Sequence, residues 1–438
     1  MTGEAASSRL RGGGRGWTLL AIALGWVFVL GSRFLLPSVL PQVTEAFSVG
    51  EFRAGVAVTV IWAAYAVMQF PAGLLVDRLG ERRLLVGSLL LTGGSVLLIG
   101  LSPVFLVFLV GCGAFGLATG LYGPARGTAL SRTFPDNDGA AIGATLAAGS
   151  VGSAVLPFAA GALVGTVDWR LVVGGLLVPL LVAGTLVSRF VDPRSGSTTD
   201  GGHDESTTDG GDDESTTDGG HDESTTDGGR DEIGVRNLAG DVARALQIRG
   251  VVVGGVAVAL MLFAFQGVST FYVTYLVDVR SYGQTTAAVL FALVFVGAAV
   301  AQFVGGSLAD RFGERWVLVG TAAVGAPVLA VIPYVEGLVP LVLLSLALGT
   351  RLAVAPVSNA YIIAILPDAV TGTAWGALRS AFFLLGAGGS TVVGAMAEDG
   401  LFAESFLLLA GLTGLAALVY LFLPARAAAS QSATGDQK

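Results

Sequence analysis

The chain has 438 residues, of which 53% are hydrophobic and 13% charged, and its mean hydropathy is +0.76. Soluble domains carry about 25% charged residues, so a water-facing globular surface is excluded and most of the chain must meet lipid. The formal charge of −8 is concentrated in an acidic tract from Asp200 to Glu232. That leaves no basic patch for nucleic acid, and no nucleophile–base set, metal-ligand cluster or phosphate loop for an enzyme. No cofactor or metal is expected.

Residues 1–16 carry Arg9, Arg11 and Arg15 ahead of a long apolar run with no small-residue cleavage site. They read as a cytoplasmic tail before a first span rather than as a signal peptide. A span needs about 20 apolar residues. Six such runs lie near 17–40, 54–76, 83–101, 104–125, 140–166 and 169–190, and six more near 250–277, 284–309, 315–334, 337–364, 371–397 and 401–423. The expected fold is an all-α membrane protein of twelve transmembrane helices in two pseudo-symmetric six-helix bundles, residues 17–192 and 250–424, with a cytoplasmic tail at 425–438. Most of the 64 glycines sit inside these apolar runs, where small residues let helices approach closely.

Between the bundles, residues 193–249 form an expected cytoplasmic linker. It repeats GGHDESTTD, GGDDESTTD and GGHDESTTD from Gly201, Gly210 and Gly219, a composition that cannot bury enough apolar surface to fold. Both histidines, His203 and His221, fall here and read as solvated linker residues. Leu238, Val242 and Leu246 are spaced as on an amphipathic helix lying at the membrane surface. The lone cysteine, Cys112, excludes an intramolecular disulfide.

Basic residues orient the bundle. With the amino terminus inside, short inner segments hold Arg9, Arg11, Arg15, Arg78, Arg82, Arg83, Arg132, Arg311, Arg315, Arg426 and Lys438, whereas outer loops hold Arg53, Arg170 and Arg280. Both termini are therefore expected in the cytoplasm, and the chain in the plasma membrane.

The halves repeat each other. Residues 69–83 read QFPAGLLVDRLGERR and residues 302–316 read QFVGGSLADRFGERW, an offset of 233. Gly143 and Gly161 recur as Gly376 and Gly394 at the same offset. Repeats in the same order, each with an even number of spans, predict a pseudo-twofold axis along the membrane normal.

These segments resemble the loop signature of the major facilitator superfamily, G-x-L-x-D-R-x-G-(R/K)-(R/K). Gly73, Asp77, Arg78, Gly80 and Arg82 match in the first copy, and Gly306, Asp310, Arg311, Gly313 and Arg315 in the second. Glu81 and Glu314 depart from it. Asp168-Trp169-Arg170 resembles the family's turn between spans five and six. The resemblance implies a transporter working by alternating access, with Asp77 and Asp310 latching spans eleven and five in the outward-open state. Glycine at 73 and 306 would admit a closely crossing helix, and each aspartate would sit at a helix amino terminus, favoured by its dipole.

Ionisable residues inside spans cost several kcal/mol unless they line a cavity. Arg33 (span one), Arg351 (span ten) and Arg379 (span eleven) lie in apolar runs, and Arg126 at the inner end of span four, with no aspartate or glutamate well inside any span. The resemblance implies that spans one, four, seven and ten line the central cavity. Arginine binds carboxylate or phosphate through two hydrogen bonds, so a small anionic solute is the expected substrate, contacted by Arg33, Arg351, Arg126, Gln69, Tyr65 and Gln266. Trp62, Tyr272, Tyr275, Asn359 and Tyr361 are further candidates. The family's antiporter signature in span five is incomplete at Leu156, and Cys112 stands where span four often has arginine, which counts against a drug–proton antiporter. Competing readings are an exporter of hydrophobic compounds and a non-transporting sensor that signals through the linker. The expected partners are the bilayer, the solute and in one version a coupling ion, around a monomer.

Overall fold

The computed structural model describes residues 15–193, 240–367 and 371–424. The nine-residue repeats and both histidines therefore lie outside the described residues. Spans one to six are the helical segments Arg15–Ser38, Glu51–Leu79, Glu81–Gly100, Phe105–Thr133, Asp138–Leu163 and Trp169–Phe190. Spans seven to twelve are Arg249–Val279, Gln284–Phe312, Glu314–Tyr334, Leu338–Ile365, Thr371–Glu398 and Phe402–Tyr420. Among the described residues there is no strand. All twelve helices are long and apolar enough to cross a bilayer, so this is a multi-pass all-α membrane fold.

Local chemistry sets the breaks. Spans two and three meet at Gly80 (φ 79°, ψ 154°), and spans eight and nine at Gly313 (φ 83°, ψ 149°). That backbone region is essentially glycine-only, so the duplicated motif glycines each make the same one-residue corner. Span six begins where the Asp168 carboxylate accepts a hydrogen bond from the Arg170 backbone N–H at 2.7 Å, a side-chain N-cap. Span four runs on to Thr133, past the expected end near 125, because Tyr122–Thr133 stays helical beyond the break after Gly120. Span ten contains a tighter turn, Thr350–Ala353, which carries Arg351. Residues 240–247 form a short helix ahead of span seven, with Ala245 buried and Leu246 exposed.

The ends of the molecule differ. At the end away from the Asp77 and Asp310 loops, the halves touch. Gly394 of span eleven faces the start of span two so closely that a Cβ there would stand 2.5 Å from the Glu51 carbonyl oxygen. Its repeat partner Gly161 packs on Gln284 and Ala288 at the start of span eight. Thr59 on span two donates to the Ala387 carbonyl oxygen at 2.8 Å and pairs with the Thr391 hydroxyl at 2.7 Å. Gln284 donates to the Ser38 carbonyl oxygen at 2.5 Å. At the loop end, a Cβ at Gly73, Gly143 or Gly306 would meet nothing within 4 Å, and one at Gly376 would meet only Phe70, at 3.9 Å. The close crossing expected at Gly73 and Gly306 is therefore not made among the described residues. The close crossings fall at other glycines, such as Gly31 on span one, where a Cβ would lie 2.5 Å from the Gly152 carbonyl oxygen of span five.

Candidate functional site

Between the halves lies a cavity of about 250 Å³ walled mainly by aromatic and aliphatic side chains. The N-terminal half contributes Arg33, Phe34, Trp62 and Tyr65, and the C-terminal half Gln266, Phe295, Arg351, Arg379 and Phe383. Rings of the two halves meet directly: Phe34 lies 4.7 Å from Phe295 between centroids, and Trp62 stacks on Phe383 at 6.1 Å.

Arg33 is 2% exposed. One terminal nitrogen donates to the Thr119 carbonyl oxygen at 3.0 Å, and its guanidinium carbon lies 3.9 Å from the centre of the Tyr65 ring. A desolvated cation over an aromatic face gains about 2 kcal/mol, which offsets part of the cost of burial. Its Nε has no partner. Tyr65 sits between Arg33 and Arg379, in electrostatic contact with both.

Arg351, 3% exposed, comes from the opposite half. Its Nη2 donates to the Thr413 hydroxyl at 3.0 Å, while Nε and Nη1 are buried without a partner. Gly325 of span nine makes the space for this side chain, since a Cβ there would lie 2.6 Å from Arg351 Cγ. Gln266, 1% exposed, presents both Oε1 and Nε2 without a partner. Its main-chain carbonyl is already occupied by the Thr270 hydroxyl at 2.7 Å and the Ser390 hydroxyl at 3.3 Å. Arg33 and Gln266 are 233 residues apart, the offset of the duplicated loops, so equivalent positions of spans one and seven both face the cavity.

Among the described residues no ion pair involves Arg33, Arg126 or Arg351. Buried polar groups are normally satisfied, so the unpaired guanidinium and amide atoms around one cavity leave positive charge and hydrogen-bonding capacity unmet there.

Other sequence candidates fall elsewhere. Gln69 turns away from the cavity and donates to the Gly120 carbonyl oxygen of span four at 3.5 Å, whereas its repeat partner Gln302 lines the wall. Arg126 lies behind the wall, 4.6 Å from the Trp26 ring centre, with Nη1 on the Thr145 hydroxyl at 2.5 Å. It is held by span five rather than reaching for the loop-end surface. Tyr272 pairs with Ser345 at 2.7 Å, Tyr361 donates to the Pro424 carbonyl oxygen at 2.9 Å, and Tyr275 packs 4.8 Å from Phe406. Asn359 does reach the cavity, as do Phe34 and Phe383, which the sequence reading omitted. A phenylalanine in an apolar span looks like any other core residue.

Residues 22–294 and 254–438 match the profile of the Major Facilitator Superfamily. The chain belongs to this family of membrane transporters. It is 32% identical over 189 residues to an MFS-type transporter of Mycobacterium tuberculosis, covering 38% of this chain and 30% of that protein. It is 31% identical over 156 residues to the multidrug resistance protein Stp of the same species, covering 35% of this chain and 29% of Stp. The matched stretches thus span under a third of those relatives. Among solved structures it resembles a bacterial homologue of the human lysosomal transporter Spinster, inward-facing and unoccupied, with a TM-score of 0.71, 16% identity, and 96% and 98% of the two chains covered. It also resembles the nucleoside transporter NupG, with a TM-score of 0.72, 11% identity, and 93% and 99% covered. At these identities the likeness is one of fold.

Proposed function

We propose that this transporter carries a small organic anion with an apolar body across the plasma membrane by alternating access, with both termini in the cytoplasm. One observation carries the reading: Arg33 and Arg351 enter a single aromatic cavity from opposite halves, with no carboxylate paired to either among the described residues. Each buried guanidinium costs about 3 kcal/mol in a bilayer, and a bound carboxylate or sulfonate compensates both at once. Gln266, with a free donor and a free acceptor, orients the solute. On this reading the conformation is open to the cytoplasm, and the Asp77 and Asp310 loops latch the opposite state.

The test is counterflow in proteoliposomes against a panel of aryl carboxylates, sulfonates, sugars and nucleosides, with and without ion gradients. Anions should exchange and neutral solutes should not. Arg33→Gln and Arg351→Gln should each cut anion exchange at least tenfold.

A second reading is favoured by the aromatic wall and by the likeness to Stp, whose name marks a multidrug resistance protein. On that reading the protein exports apolar compounds. The same two variants separate the readings, because apolar efflux would survive them.

A further inference from the structure

We infer that an anionic amphiphile enters the cavity sideways from the bilayer, with its alkyl chain in a lipid-facing groove between spans seven and eleven and Phe382 as the gate. This rests on the anion reading above and names the kind of anion.

The groove encloses about 650 Å³ beside the loop-end halves of spans seven and eleven, bounded by Val256 and Phe263 on one side, Ala381 and Leu385 on the other, and Leu412 of span twelve. Its walls carry no polar side chain. It faces outward, since Val256 is 49% and Leu385 63% exposed. Leu246, on the short helix before span seven, borders it.

Phe382 lines both the groove and the arginine cavity and is itself buried. Its ring rests against span seven at Gly255, where a Cβ would stand 2.8 Å from two ring carbons. One aromatic side chain thus separates the two spaces, and a rotamer change is the smallest motion that joins them. Charge complements the apolar walls. Arg379, one turn before Phe382, lines the cavity side and has a buried, unpartnered Nε, with Arg351 also facing that space. An anionic head drawn to Arg379 would leave its tail in the groove. Lipid is as apolar as these walls, so the groove gives a chain no net gain over the bilayer. It is a passage rather than a trap.

The test uses sulfonates, which stay ionised and do not cross a bare bilayer. Decyl sulfonate is supplied in the membrane of proteoliposomes and benzenesulfonate in the water. Ala381→Trp, which fills the groove without touching the cavity wall, should lower decyl sulfonate transport at least tenfold and leave benzenesulfonate transport unchanged. Undiminished decyl sulfonate transport overturns the lateral route. If Ala381→Trp abolishes both, the milder Ala377→Leu is used, and a parallel fall of both substrates there also overturns it. Failure of the wild-type protein to move either sulfonate sinks the anion reading itself, a different outcome from loss of the groove effect.

Discussion

The Glu398 carboxylate at the end of span eleven accepts a hydrogen bond from the Phe52 backbone N–H at 2.8 Å. Phe52 lies in the first turn of span two, whose N-cap residue, Gly50, has no side chain to offer. The cap is therefore supplied by the other half of the protein, and the helix dipole adds to it. Because Glu398 is solvent-exposed, the contact contributes about 1 kcal/mol. It exists only while this end is shut, so Glu398→Ala should raise the population open at this end about fivefold. Double electron–electron resonance between nitroxides at Arg53 and Asp399, in a Cys112→Ser background, should show a new long-distance component. An unaltered distance distribution would reject the cap as a gate element.

The duplicated corner makes a paired prediction about stability. Gly80 and Gly313 adopt φ 79° and 83° with ψ near 150°, where a side chain costs about 1–3 kcal/mol. Gly80→Ala and Gly313→Ala should each lower the melting temperature of the purified protein by several degrees. Gly73→Ala and Gly306→Ala meet open space and should leave it within a degree in this conformation. They should instead disfavour the alternate state, in which a helix is expected to cross there.

What the sequence disclosed, and what it hid, follows from which residues announce themselves. Length and hydropathy mark a span without reference to its neighbours, so all twelve were legible, as was the duplication. Arg33 and Arg351 stood out because a charge in an apolar run needs a reason. Gln69 and Gln302 show the limit. They occupy the same motif position, yet Gln302 lines the cavity and Gln69 bonds to the Gly120 carbonyl oxygen. Which way a side chain faces depends on the packing around its helix, and repeat symmetry is only approximate there. Phe382 was illegible for another reason, since its two-sided position exists only after spans seven and eleven pack.

On the anion reading, Arg351 sets function against stability. Two of its guanidinium nitrogens are buried without partners, a state that costs free energy when no ligand is bound. Arg351→Gln should therefore raise the melting temperature of the ligand-free protein by a few degrees. The same variant should lose the further rise that a saturating aryl sulfonate gives the wild type. An arginine kept only for packing would show the reverse, with a lower melting temperature and intact ligand protection.

Gly325 tests whether the placement of Arg351, and not merely its charge, matters. It lies on span nine behind the side chain, away from the cavity, and a Cβ there would stand 2.6 Å from Arg351 Cγ and 2.8 Å from Cδ. Gly325→Ala keeps every charge but pushes the stem forward, an overpacking change worth about 1–3 kcal/mol. The guanidinium would leave its hydrogen bond to Thr413, so KM for the anion should rise roughly 5- to 50-fold, by about 1.4 kcal/mol per tenfold. The maximal exchange rate should hold, because Arg351 and Thr413 belong to the same half and their contact does not bridge the two. An unchanged KM would mean that Arg351 acts as a diffuse positive field. A collapse of the maximal rate at constant KM would place it instead in the moving interface.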